Sequence, residues 1–370
     1  MQQNAFSLDS TSKFVPATEC DSKQKRMTNR SSYKNMRLSR AMLLLASLAG
    51  LSCRAPQSNA WVDPANHRVA MVSVAPQVQL EVLDWGGANV PMVFLAGLGD
   101  TGHAFDEFAA RFQDNFRPIA ITRRGFGASS QPDDGYDSDT RAHDIIAVLD
   151  SLQLARVILV GHSIAGDELS RVAAAYPDRL IALVYLEAYS YGTDSPSDFP
   201  EYPPQAEAPE MTAIDSASVQ SVIAYWPTRF MYHPVEADVR AVCQFGPSGR
   251  LELLPKQNAA RQVSEGTSRS EYERIAAPAL AIYAPQATLE DFFPHAARFD
   301  EENRAMAQRY LIAQQHFETA QIARFQAEVG NGKVITMPGA THYLHYQHAD
   351  TVERAMRQFL STTSSGEGAI

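Results

Sequence analysis

Apolar residues from residue 61 onwards occur in short continuous runs, separated by segments with helical spacing. Continuous runs rich in β-branched residues are typical of strands that are buried on both faces of a parallel sheet. Residues 67–83 contain two β-rich runs separated by Ala75 and Pro76, which predicts a hairpin. The other predicted strands up to residue 189 are 90–96, 118–121, 157–160 and 180–186, and the predicted helices are 105–112, 137–152 and 164–175.

This alternation stops in the segment 190–275, which has scattered helical patches and is too long for an ordinary loop. Strands separated by helices predict an α/β fold, with a mostly parallel central sheet and helices on both faces. We therefore predict a core made of 61–189 and 276–370, with an inserted helical lid between them. The later predicted elements are strands 279–284 and 333–337, helices between 288 and 329, and a last helix at 350–360.

Composition is ordinary for a globular protein, but charge is unevenly distributed. Apolar residues make up 45% and charged residues 20% of the 370 residues. Residues 1–60 hold nine basic and three acidic residues, whereas the rest of the chain holds 23 basic and 39 acidic residues. Because an acidic body of this size repels phosphate backbones, we expect no nucleic-acid partner.

The N-terminus has the pattern of a secretory signal. A basic segment at 36–40 precedes an uncharged, mostly apolar run at 41–52, and small residues follow at 58–60. The run is shorter than the roughly 20 residues that cross a bilayer, so we predict no stable membrane span. We predict export to the periplasm or the extracellular space, with cleavage before Trp61. One alternative is a lipoprotein that is modified at Cys53. Another is that the apolar run forms a short buried helix.

The clearest chemical signal follows the predicted strand 157–160. Gly161 and Ala165 stand two residues before and two residues after Ser163, which leads into a predicted helix. A strand, a sharp turn with small flanking residues and a helix are the context of a nucleophile elbow, where close strand–helix packing leaves the serine hydroxyl exposed above the sheet. We therefore predict that Ser163 is a nucleophile.

A serine nucleophile needs a general base, and the base needs an acid that orients it. His342 follows the predicted strand 333–337 in a glycine-containing turn, and we predict that it is the base. His345 is the alternative base. A metal site made of His342, His345 and His348 is disfavoured, because the three lie in a turn and no His-Glu-x-x-His motif occurs in the sequence. We predict neither a metal nor a cofactor.

Glu187 is the predicted acid, because it ends the buried strand 180–186. A carboxylate in this position is costly without a partner, and a catalytic histidine would supply one. A salt bridge to an arginine at the sheet edge would explain the residue as well. The alternative acids are Glu290 and Asp291, which follow the predicted strand 279–284.

An oxyanion hole is expected from the backbone N–H groups of Ile164 and Leu98, which follow two predicted strands. Asp100 lies close to Leu98, where an anion would oppose a developing oxyanion, so we expect it to cap the next helix instead. Asp167 and Glu168 follow Ser163 in the first helical turn, where acidic side chains interact favourably with the helix dipole.

Aromatic residues cluster in the predicted lid at Tyr225, Trp226 and Phe230. Apolar and aromatic side chains line most small-molecule pockets, so we predict that these three contact the substrate. Packing within the lid itself is the alternative explanation.

Four segments together resemble the α/β-hydrolase superfamily over residues 71–360. They are 94–99, 122–129, 161–166 and 339–342. The segment 185–188 is similar to the acid-bearing strand six of some haloalkane dehalogenases and certain lactone-cleaving members. Dehalogenases and epoxide hydrolases use an aspartate nucleophile, which Ser163 replaces here. Ala96 stands where the family commonly has histidine in the oxyanion loop.

The resemblance implies a serine hydrolase that cleaves a small-molecule carboxylic ester or lactone through an acyl-enzyme, and the N-terminal pattern predicts that it is exported. A peptidase or amidase, a cofactor-free lyase and a cofactor-free peroxidase share the same fold. A ligand-binding protein without turnover is a further alternative, because fold does not determine function.

Overall fold

Eight strands form one sheet in the order β1-β2-β4-β3-β5-β6-β9-β10 in the computed structural model, which describes residues 61–87, 89–192, 199–253 and 257–363. The predicted signal sequence and Cys53 lie outside these residues. Within the described part of the chain, no helix combines the length and hydropathy needed to cross a membrane. The strands are β1 (Arg68–Ala75), β2 (Val78–Asp84), β3 (Val90–Leu95), β4 (Phe116–Ile121), β5 (Val157–His162), β6 (Leu180–Leu186), β7 (Gln244–Phe245), β8 (Leu251–Leu253), β9 (Ala279–Tyr283) and β10 (Gly332–Thr336).

The sheet is mostly parallel. β1 and β2 form the predicted antiparallel hairpin, and β2 also pairs antiparallel with β4. The five remaining pairings, from β4 to β10, are all parallel. Every residue of β5 is buried, as its continuous apolar run predicts. The predicted α/β architecture is therefore confirmed.

Helices cover both faces of this sheet. One apolar cluster packs α2, α3 and α8 against one face, and a second packs α1 and α10 against the other. The side chain of Asp137 accepts a hydrogen bond from the backbone N–H of Thr140 and begins α2. The helices are α1 (Asp106–Ala110), α2 (Ser138–Ser151), α3 (Ala165–Ala175), α4 (Val219–Phe230), α5 (Glu236–Val242), α6 (Gln257–Glu265), α7 (Leu289–Phe292), α8 (Glu301–Glu328), α9 (Leu344–Gln347) and α10 (Ala349–Thr363).

The segment 190–275 contains α4, α5 and α6, together with the two-stranded β7–β8 sheet, which the sequence had not predicted. Asp238 of α5 joins this segment to the core. Its carboxylate accepts hydrogen bonds from the backbone N–H of Thr101 at 2.9 Å and from the Thr101 hydroxyl at 2.6 Å. That this segment acts as a lid stays a prediction.

The turn after β4 is held by a buried ion pair. Arg124 donates two hydrogen bonds of 2.6 Å to the Asp144 carboxylate of α2, and both side chains are 5% exposed. Removing one partner of such a pair leaves an uncompensated charge in the interior.

We expect Arg124→Met to lower the free energy of unfolding by about 3–5 kcal/mol, because Asp144 then remains buried without its partner. The control is Arg261→Met, which removes an exposed pair with Glu265 and should cost under about 1 kcal/mol. Urea denaturation followed by circular dichroism measures both values. Equal losses in the two variants would contradict the assignment.

Candidate active site

Two residues at the carboxyl edge of the sheet have left-handed backbone angles. Ser163 follows β5 with a φ of 55°, and Glu187 follows β6 with a φ of 48°. Such a conformation costs a non-glycine residue roughly 1–3 kcal/mol and persists only where neighbouring structure enforces it. The N–H of Ser163 donates to the carbonyl of Leu186 at 3.0 Å, and that of Glu187 donates to the carbonyl of Ile282 at 2.8 Å.

Small residues make the turn at Ser163 possible. A Cβ atom at Gly161 would lie 2.6 Å from Leu169 Cδ1 and 3.1 Å from the Cβ of Ala165. Any larger residue at these two positions would push α3 away from β5. The spacing of small residues read from the sequence therefore has a direct steric cause in the structure.

Glu187 and His342 meet above the sheet. His342 Nδ1 lies 3.2 Å from Glu187 Oε2. The other carboxylate oxygen accepts hydrogen bonds from the Ala284 N–H at 2.7 Å and the Tyr189 hydroxyl at 2.9 Å. When Glu187 is ionised it can only accept, so in that state the proton sits on Nδ1 and leaves Nε2 free to act as a base.

Burial shapes the electrostatics of this pair. It lowers the pKa of His342 to about 3, so the imidazole is neutral at physiological pH. It raises the pKa of Glu187 to about 8, while the hydrogen bonds from Ala284 and Tyr189 act in the opposite direction. The side chain of His342 stays 16% exposed, compared with 3% for that of Glu187. The base thus faces the solvent side of the pair.

Tyr191, which the sequence analysis missed, lies beside the predicted nucleophile. Its hydroxyl interacts with the side chain of Ser163. Among the described contacts, the Ser163 hydroxyl makes no hydrogen bond to His342. Catalytic hydrogen bonds are often long before substrate binds, so this arrangement is compatible with a serine–histidine relay.

The alternative bases and acids lie elsewhere. His345 is 1% exposed, and its ring packs 5.2 Å from that of Phe105 and 4.7 Å from that of His162. Glu290 is exposed, and Asp291 forms a capping box with Thr288 at the start of α7. In the described structure, neither acid contacts His342.

The two predicted oxyanion donors belong to adjacent turns. β3 and β5 are paired neighbours, with Leu95 opposite Gly161, so the turns that follow them meet at one edge. The side chains of Leu98 and Ile164 belong to one apolar cluster. The backbone N–H groups in the first turn of a helix have no partner within that helix, which leaves the one at Ile164 available to an anion. The role of both groups stays a prediction.

Arg123 links these two turns through hydrogen bonds. Its guanidinium donates to the carbonyl oxygens of Ala96 at 2.9 Å and Gly97 at 3.2 Å, directly before Leu98. It also holds the Glu168 carboxylate of α3 with two bonds of 2.5 and 2.6 Å. A signal existed in the sequence: two adjacent arginines follow one buried strand, and two adjacent acids follow Ser163.

The expectation that Asp167 and Glu168 merely complement a helix dipole is therefore wrong. Both are buried, and Asp167 accepts a 2.6 Å hydrogen bond from Arg141. Each acid neutralises a buried arginine and fixes α3 in place. Both acids lie in the first turn of α3, which begins two residues after Ser163.

Asp100 does not cap a helix either: Thr101 caps the short 3-10 helix Gly102–Phe105, and α1, which follows it, has no side-chain cap. The Asp100 side chain is 4% exposed and accepts hydrogen bonds from the hydroxyls of Tyr343 at 3.2 Å and Tyr232 at 3.4 Å. Burial and the nearby carboxylate of Asp238 raise the pKa of Asp100. Each oxygen of Asp100 thus has a tyrosine hydroxyl as its donor, so the carboxyl group is engaged away from the predicted oxyanion donors' own backbone N–H groups.

The aromatic residues of the segment 190–275 that were predicted to contact substrate pack largely against other side chains. Trp226 is 5% exposed in a cluster that includes Tyr343, the neighbour of His342. Phe230 packs against it with ring centroids 4.9 Å apart. Tyr225 donates its hydroxyl proton to the carbonyl of Pro209. Contact of these residues with substrate stays a prediction.

Comparisons with known proteins agree with this architecture. A relative from Mesorhizobium japonicum, named 2-(acetamidomethylene)succinate hydrolase, is 25% identical over 289 residues, which cover 74% of this chain and 89% of the relative. A non-heme chloroperoxidase from Streptomyces lividans is 38% identical over 108 residues, covering 28% of this chain and 39% of the relative.

The crystal structure of an E-2-(acetamidomethylene)succinate hydrolase shares the fold at 21% identity, with a TM-score of 0.57, covering 80% of this chain and 99% of that one. The family model described as "Alpha/beta hydrolase family" matches residues 92–355, more than two thirds of the chain. The chain therefore belongs to the alpha/beta hydrolase family.

Proposed function

We propose that this protein, an enzyme of the hydrolase class, cleaves a carboxylic ester or lactone with Ser163, His342 and Glu187. The observation that carries the proposal is the 3.2 Å approach of His342 Nδ1 to Glu187 Oε2 beside the left-handed turn at Ser163. This approach leaves His342 Nε2 as a neutral base on the exposed side of the pair. Export of the enzyme belongs to the same proposal and rests on the sequence of residues 36–60 alone.

The reaction follows from these positions. Ser163 Oγ attacks the substrate carbonyl carbon while His342 Nε2 takes its proton, and the backbone N–H groups of Ile164 and Leu98 hold the oxyanion. The tetrahedral adduct collapses, His342 returns the proton to the leaving alcohol oxygen, and an acyl-enzyme remains. Water then attacks the acyl carbon through the same base, which releases the acid and restores Ser163.

A peroxidase-like activity is the second candidate, because several relatives carry the name non-heme chloroperoxidase. One of them, named putative non-heme chloroperoxidase, covers 74% of this chain at 25% identity, the same values as the hydrolase relative, so similarity alone does not separate the two activities. An assay series of p-nitrophenyl esters of increasing chain length, run beside peroxide-dependent halide oxidation, separates the two. Halide oxidation without ester cleavage would overturn the hydrolase proposal.

We expect Ser163→Ala to abolish ester hydrolysis, with a loss of about 10⁴–10⁶ in kcat, because the attacking oxygen is removed. The same change should abolish labelling by a fluorophosphonate probe. The circular dichroism spectrum should match that of the parent protein, because the substitution removes only a hydroxyl group and no packing contact of the core. A folded variant that keeps most of its activity would refute the serine mechanism.

We expect Glu187→Gln to lower kcat by up to about 10⁴, because an amide in place of the carboxylate can force the wrong imidazole tautomer. Glu290→Gln is the matched control, since this exposed residue makes no contact with His342. Steady-state kinetics on one good ester substrate measures both variants. A large loss in the control, with little change at residue 187, would move the acid to the loop after β9.

We expect Arg123→Lys to lower kcat by about tenfold or more while leaving KM nearly unchanged. A lysine has one ammonium group, so it cannot hold Glu168 and the carbonyls of Ala96 and Gly97 together. Removing an oxyanion donor lowers kcat by about 10²–10³-fold, and this sets the upper limit for the effect of moving the donor out of position.

The control is Arg124→Lys, which alters the neighbouring buried ion pair with Asp144 and makes no contact with the oxyanion turn. This variant should lose stability but keep its kcat at a temperature where it is folded. If both lysine variants lose activity only in proportion to their unfolding, Arg123 has no positioning role.

A further inference from the structure

Three ligand-type side chains converge at a site apart from the predicted triad. His67 lies directly before β1, His103 lies in the turn that follows β3, and Asp106 begins α1. The potential ligand atoms of the three lie within 4.8 Å of one another. His103 and Asp106 are three residues apart, and the fold brings His67 to them from the start of β1.

The distances match those of ligands that share one ion. Asp106 Oδ1 lies 3.1 Å from His67 Nε2, and Asp106 Oδ2 lies 3.1 Å from His103 Nδ1. Zinc binds imidazole nitrogen at about 2.0–2.1 Å and carboxylate oxygen at about 2.0–2.2 Å, which places neighbouring ligands of a tetrahedral site roughly 3.3–3.5 Å apart. Small side-chain shifts are enough to reach this geometry.

The surroundings also fit a metal centre. Nε2 of His103 faces the Glu81 carboxylate at 3.8 Å, and the hydroxyl of Thr122 donates to Glu81 at 2.7 Å. A carboxylate behind the second nitrogen of a metal-binding histidine is a common orienting partner. The ring of His67 packs edge-on against Trp85 at 5.0 Å.

The three side chains are buried, with exposed fractions of 2% for His67, 11% for His103 and 3% for Asp106. Buried carboxylates need a compensating charge. Imidazole nitrogen and carboxylate oxygen are both ligand types that zinc accepts.

We propose that His67, His103 and Asp106 bind one divalent transition-metal ion, best matched by Zn²⁺, with Glu81 orienting His103. The ion joins the chain entering β1 to α1 and to the turn that begins at Leu98. Its role is structural, because the triad chemistry needs no metal. The sequence predicts no metal, because His67 lies far along the chain from His103 and Asp106 and no continuous ligand motif marks the site.

A proton is the competing occupant. Burial lowers the pKa of His103, but hydrogen bonds with Asp106 and Glu81 outweigh it and raise the pKa to about 10. A protonated His103 would satisfy the two carboxylates without an ion. The two explanations differ in whether the cluster takes up a metal.

The test uses the full chain without an affinity tag, freed of metals by dialysis against a chelator. Titration with Zn²⁺ in a calorimeter should show one equivalent bound, and the melting temperature should rise with added Zn²⁺. His67→Gln and Asp106→Asn should each weaken binding by at least about 100-fold, beyond the roughly 10–100-fold typical for an outer partner. Glu81→Gln should fall within that smaller range.

His143→Gln is the matched control, because His143 is an exposed histidine on α2. Its affinity for Zn²⁺ should equal that of the parent chain. No binding of Zn²⁺ or Co²⁺ by the parent chain would overturn the proposal and favour the protonated histidine, even if a variant failed to fold. Binding that persists in both ligand variants would place the ion elsewhere and would overturn the proposal equally.

Discussion

The candidate site depends on one backbone constraint, the left-handed turn that ends β5 and β6. At Ser163 and Glu187 the chain leaves the sheet abruptly, and each N–H remains bonded to the carbonyl of the next strand. Neighbouring strands lie about 4.8 Å apart, so the two side chains emerge side by side. The strain is tolerated because buried parallel strands on both sides fix the register.

The histidine arrives from farther away, and the sheet order explains how. β9 lies between β6 and β10, so the loop after β10 must cross the end of β9 to reach Glu187. Ala284, which follows β9, donates its N–H to Glu187 and marks this crossing. His162 donates from Nε2 to the carbonyl of His342 at 2.9 Å and fixes the loop from the other side. Three strand ends therefore determine where the imidazole lies.

Two buried arginines near the site are each paired with a buried acid. Arg123 is neutralised by Glu168 and Arg141 by Asp167, so these buried charges compensate one another. Buried pairs of this kind add little to stability compared with apolar packing, but losing one partner is costly. We infer that their value lies in fixing the two turns that face the oxyanion.

The sequence by itself determined the parts of this protein that depend on local chemistry. Runs of β-branched residues predicted the strands, and small residues around Ser163 predicted the strained turn, because both signals act within a few residues. Glu187 was found because a carboxylate at the end of a buried strand needs a partner. These features are steric or energetic necessities of a single segment.

Only the tertiary structure decided which distant groups meet. The contacts of Arg123 with Glu168, of Asp100 with Tyr343, and of His103 with Glu81 depend on which strand lies beside which. The sequence assigned Asp100 and Glu168 local roles at helix starts, since local capping is the cheapest explanation for an acid there. Burial reversed that choice, because an acid inside the protein must find a charged or hydrogen-bonding partner wherever the fold supplies one.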